Sequence, residues 1–175
     1  MGIRGIMRYT GSALVFAALV CGLWLLLRRL RGHCGFGRGD ALRLLAVGYL
    51  AALAQIVALR FGLHTPHWLG GVSKLRPVPL ATTLDAWKLG LWPFVYHVGG
   101  NMGWFVPLGA LLALTRPKCR AWQALLAGTL LSLALETAQL LLGTGFPDID
   151  DIWLNALGAL AGLALTRFLQ RRFTR

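Results

Sequence analysis

An all-α bundle of membrane-spanning helices, about five in number, is predicted by three features of the sequence. Hydrophobic residues make up 57% of the 175 and charged residues only 14%, too little polar side chain to clothe a soluble domain of this length. The apolar residues gather in runs long enough to cross roughly 30 Å of hydrocarbon as helices. The Lys and Arg residues behind the net charge of +12 flank those runs. A nucleic-acid surface would need one basic patch or interleaved aromatics, so no nucleic-acid partner is expected. Membrane lipids are the expected partner, because cations at helix ends meet anionic headgroups.

The first run extends from Tyr9 to Leu27, between Arg4 and Arg8 on one side and Arg28, Arg29 and Arg31 on the other. No small-residue cleavage site follows it, and Val20 precedes Cys21 where a lipoprotein site needs a small residue, so a retained span is expected. The second run covers Leu44 to Leu63, with Arg60 placed to snorkel to an interface. Gly62 to Gly90 reads as a long connection, because HTPHW, GG and RPVP oppose a continuous helix. The third run, Leu91 to Thr115, has no formal charge but holds Pro93, His97, Asn101 and Pro107. Its Gly99-Gly100-Asn101 and Pro107-Leu108-Gly109 steps are expected to break or kink it, as irregular backbone does where it lines a cavity. Ala121 to Leu142 and Ile152 to Phe168 complete the set. Trp92, Trp104, Trp122 and Trp153 lie near run ends, as interfacial aromatics do. Together these form a single membrane domain, with an N-terminal two-span region and outer connection at 1–76 and a three-span core at 77–175. Cys21 falls in a span, and Cys34 and Cys119 fall in basic loops, so no structural disulfide is expected.

Alternate loops differ in charge. The segments Arg28–Arg43, Arg116–Arg120 and the end from Arg167 carry 12 of the 18 Lys and Arg residues. The positive-inside rule places them in the cytoplasm, with the amino terminus outside and the carboxyl terminus inside. The loop between the fourth and fifth runs has no basic residue and faces outward.

The polar residues concentrate at that outward end. Four of the six carboxylates, Glu136, Asp148, Asp150 and Asp151, fall between positions 136 and 151. Glu136 interrupts an apolar run, at a cost of about 2.5–3.5 kcal/mol on insertion scales. It reads either as a hydrogen-bonded packing group or as a ligand-binding or catalytic acid or base. Asp148, Asp151 and Asn155 share a helix face, as do His97 with Asn101 and Glu136 with Gln139. The aspartates at a helix start read equally as caps. His97 is a candidate base or ligand, and also a packing histidine. Asn101, Glu136, Gln139, Asp148, Asp150, Asp151 and Asn155 therefore form a candidate binding pocket, with Glu136 and His97 as candidate catalytic groups. Its oxygen-rich side chains would suit a divalent cation such as Mg²⁺ or Ca²⁺, although no spacing identifies one. His64 and His67 form an HxxH pair that lacks further ligands. Gly99 with Gly103, and Gly158 with Gly162, have the spacing that permits close helix packing.

The segments Gly100-Asn101, Phe105-Val106-Pro107-Leu108-Gly109, Glu136-Thr137-Ala138-Gln139 and Asp148-Ile149-Asp150-Asp151, followed by Asn155, Gly158 and Gly162, resemble the VanZ-like membrane proteins over Pro77 to Gly162. The first two spans show no diagnostic match. The family's name member is associated with low-level resistance to teicoplanin, a lipid-bearing glycopeptide. The resemblance implies a multi-pass protein of the bacterial inner or plasma membrane acting at the cell envelope. The family commonly has an arginine just ahead of the aspartates, where this chain reads Gly143-Thr144-Gly145-Phe146-Pro147, leaving Arg76 or Lys88 as substitutes. The expected function is binding of an amphiphile, a lipid-linked envelope intermediate or a lipoglycopeptide, in the outward pocket, with an effect on glycopeptide sensitivity. An intramembrane enzyme acting on such an intermediate and a structural partner of envelope proteins are the alternatives.

Overall fold

The computed structural model describes residues 3–32, 35–59 and 67–173. These form helices α1 (Ile3–Leu30), α2 (Arg38–Ala54), α3 (Ala81–Lys88), α4 (Leu91–Thr115), α5 (Ala121–Leu142) and α6 (Ile149–Phe173). A π-helical turn, Gln55–Leu59, extends α2, and a short 3₁₀ turn, Val72–Lys74, lies in the connection. There is no strand among the described residues. Five segments are long and apolar enough to cross a membrane: Gly11–Leu30, Arg38–Leu59, Leu91–Thr115, Ala121–Leu142 and Ile149–Phe173. The chain is an all-α, multi-pass membrane bundle. Leu14, Leu19, Leu23 and Leu26 on α1, and Leu126, Leu130 and Leu133 on α5, are exposed, as lipid-facing side chains are. Arg60, His64 and Cys34 lie outside the described residues.

Helix α6 packs between α4 and α5 because small residues let the backbones touch. A Cβ on Gly158 would strike Met102 of α4, one on Gly162 would strike Val106, and one on Gly109 would strike Ala159 and Leu163. Gly128 gives α5 the same access to Ala156. The spacing at Gly158 and Gly162 thus has the predicted use, but Gly99 and Gly103 face open space. Both are exposed positions of α4. The expected break in α4 is also absent, because the helix runs through Pro107 without interruption. A proline removes one helical hydrogen bond, a loss that tight packing against a neighbouring helix tolerates. Leu53, Ala58, Phe105 and Leu135 form a buried cluster joining the second span to α4 and α5. Tyr49 Oη adds a 2.9 Å hydrogen bond to the Trp104 carbonyl.

The connection before α4 is structured around helix ends. Backbone N–H groups of His67, Leu69 and Gly71 donate to the carbonyls of Leu142, Leu141 and Leu140 at 2.9, 2.7 and 3.0 Å, satisfying the last turn of α5. Gly71 is required there, since a Cβ would meet the backbone of Leu140 and Gln139. Gly143 ends α5 with φ +63°, a left-handed conformation that favours glycine. Beyond it, Arg76 N–H donates to the Pro147 carbonyl at 2.8 Å and Ile149 N–H donates to Arg76 at 3.2 Å. One connection therefore closes the end of α5 and the start of α6.

Candidate functional site

The carboxylates at this end bind backbone donors. Glu136, nearly two turns before the end of α5, accepts the Asp148 N–H at 2.9 Å. Asp148 caps α6 by accepting the Asp150 N–H at 2.9 Å, and also accepts the Thr82 hydroxyl at 2.5 Å. Asp150 has no exposed surface. Its carboxylate caps α3, taking the N–H of Leu80 at 2.5 Å and of Thr83 at 2.9 Å, together with the Thr83 hydroxyl at 2.9 Å and the Trp153 indole at 3.3 Å. Leu80, with φ +64°, is held in the left-handed region where its N–H meets this carboxylate. Arg76 Nη1 lies 3.9 Å from Asp148 Oδ2, with half of its side chain exposed. Arg76 thus supplies the charge partner missing from the loop ahead of the aspartates, whereas Lys88 pairs with Asp85 at 2.9 Å.

The remaining candidates divide among three places. Asn101 donates to Asp151 at 2.6 Å, tying α4 to α6. Asn155 donates to Ser132 at 2.9 Å, tying α6 to α5, and its Oδ1 is buried with no hydrogen-bond partner among the described residues. Gln139 points away from the aspartates and donates to the Val57 carbonyl at 2.7 Å. Thr144 likewise donates to Ala58. Both complete carbonyls of the π turn at the end of the second span. Trp153, near the start of α6, donates its indole N–H to Asp150.

His97 connects this network to open space. The Thr83 hydroxyl has one proton and donates it to Asp150, so it accepts from His97 Nε2–H at 3.3 Å. That tautomer leaves Nδ1 as the imidazole's acceptor. His97 also lines a groove of about 590 Å³ between the connection, α3 and α4. Arg76, Thr82, Asp85 and His97 form its polar part, and Pro77, Val78, Ala81, Ala86, Leu89 and Pro93 form its apolar walls. Exposed Trp87, Leu91, Trp92 and Tyr96 lie on the flanking elements. Glu136, Asp148, Asp150 and Asp151 do not line this groove; they fix the elements that do.

The donor set does not fit a divalent cation. No group of three or more His, Cys, Asp or Glu side chains among the described residues is placed to hold a metal ion. The oxygens of Asp148 and Asp150 face N–H and O–H groups, whose positive ends would repel one. Described cysteines Cys21 and Cys119 are both free.

Thr82, Thr83 and the backbone of α3 are the site components missing from the sequence reading. The only available signal was two adjacent threonines just after Pro79, a position suited to a helix start. No curated protein and no solved structure matches the chain. The family model described as VanZ/LLP1 matches residues 46–170 and so takes in most of the second span, which had shown no diagnostic motif. The chain belongs to the VanZ/LLP1 family.

Proposed function

We propose that this protein binds an amphiphilic cell-envelope molecule in the groove between α3 and α4 and thereby alters sensitivity to glycopeptides. The ligand is a lipid-linked cell-wall intermediate or an acylated glycopeptide such as teicoplanin. The observation that carries this reading is the groove's division into a polar part at Arg76, Thr82, His97 and Asp85, whose carboxylate is paired with Lys88, and an apolar wall at Leu89 and Pro93. An anionic headgroup would meet the half-exposed Arg76 guanidinium, and an acyl chain would follow the apolar wall toward lipid. By charge distribution this end faces outward in a bacterial plasma membrane, where such ligands occur. Binding is favoured over turnover because Asp148 and Asp150 are occupied by helix-capping donors, and neither they nor Glu136 lines the groove.

The test is binding of a fluorescent acylated glycopeptide, and of its deacylated counterpart, to protein in lipid nanodiscs. The acylated probe is expected to bind more tightly. Arg76→Gln is expected to weaken binding about tenfold or more, the scale of one hydrogen bond to a charged group. Equal binding of both probes, or an unaffected Arg76→Gln variant, would contradict the assignment.

A further inference from the structure

The opposite end of the bundle contains a second concave site, independent of the first. A groove of about 670 Å³ lies among the start of α2, the end of α4, the 116–120 loop and the end of α6. Its walls carry the cations Arg38, Lys118, Arg120, Arg167 and Arg171 and no carboxylate. The nearest acid in sequence, Asp40, is engaged by Arg28 at 2.9 Å and Arg43 at 3.5 Å, so it is already used. None of the five cations has an acidic partner among the described residues. Arg167 holds the loop in place by donating to the carbonyls of Pro117 and Cys119. The loop's shape is therefore fixed by the helix it faces.

The positive-inside tendency accounts for cations at this end, and helix C-termini accept cations favourably. Neither accounts for convergence of five cations from three elements on one volume, where they repel one another unless an anion joins them. The volume falls within the range of small-molecule sites. Ala113, Leu114 and Pro117 line the same groove, giving an apolar surface next to the charge. We propose that this groove binds the phosphate-bearing headgroup of an anionic phospholipid from the leaflet at that end. Guanidinium groups suit it because they take phosphate oxygens in pairs.

The experiment measures lipid retained by the protein after reconstitution with equal phosphatidylglycerol and phosphatidylcholine, by native mass spectrometry and by exchange of spin-labelled lipids. Wild type is expected to prefer phosphatidylglycerol. Lys118→Gln with Arg171→Gln should reduce that preference by about tenfold or more, the scale of losing a direct hydrogen bond between charged groups. Arg29→Gln with Arg172→Gln removes the same charge outside the groove and should leave most of the preference. No preference in wild type, or equal losses in the two double variants, would overturn the proposal. A separate arm adds inorganic phosphate to detergent-solubilised protein. Saturable phosphate binding that displaces the lipid at millimolar concentration would assign the groove to a soluble phosphate instead.

Discussion

Asp150 holds the aspartate end together, because one buried carboxylate fixes the start of α3 and the indole of Trp153 from the first turn of α6. Asp150→Ala would leave two backbone donors, a hydroxyl and an indole without their acceptor. At about 1–3 kcal/mol for each buried unsatisfied group, a loss of at least ~4 kcal/mol is expected in thermal unfolding in detergent. An unchanged midpoint would mean that α3 is anchored elsewhere. Glu136 separates charge from packing. Glu136→Gln keeps an oxygen for the Asp148 N–H and is expected to preserve abundance, while Glu136→Ala should lose about 1–2 kcal/mol. A glutamine variant as unstable as the alanine variant would show that the charge itself holds the helix start. The carboxylates were legible because charge is costly in an apolar run. Their partners were not, since Thr82 and Thr83 lie in a Pro- and Gly-rich connection and reach aspartates 66 and 67 residues away.

Helices α4 and α5 were readable from length and hydropathy with their ends in place, whereas α6 extends three residues before and five beyond the apolar run, because its first and last turns carry Asp150, Asp151, Arg171 and Arg172. Helix α3 was not, because eight residues between Pro79 and Gly90 carry too short a pattern to show periodicity. The role of Gln139 was hidden for another reason. Its partner is a carbonyl freed by a π turn, a backbone irregularity that the side chains do not announce. Glycine spacing identified the contact at Gly158 and Gly162 but gave the same signal at Gly99 and Gly103, since spacing does not reveal which face has a neighbour. Gly158→Ala or Gly162→Ala should force α4 and α6 apart, costing about 1–3 kcal/mol or more as overpacking does. Gly99→Ala and Gly103→Ala should be neutral or raise helix stability by up to ~1 kcal/mol. Unfolding midpoints for the four variants test this, and equal effects in both pairs would contradict the packing.

At the scale of the whole molecule, the two ends have opposite character: capped carboxylates beside an amphipathic groove at one, and converging arginines at the other. Charge distribution gave that polarity before any contact was known. In a cysteine-free background, Ser73→Cys should react with an impermeant thiol reagent in intact cells, and Arg172→Cys only after permeabilisation; the reverse would invert the orientation. The groove between α3 and α4 could not be read in advance, because it depends on a helix hidden in the connection. The most direct measurement of its role is teicoplanin susceptibility of a sensitive bacterial host at matched membrane levels of each protein. Wild type is expected to raise tolerance, Glu136→Gln to retain it, and Arg76→Gln with His97→Ala to return the host to the level of an empty control. Wild type indistinguishable from that control, or full tolerance in the Arg76 and His97 double variant, would contradict a ligand-binding groove.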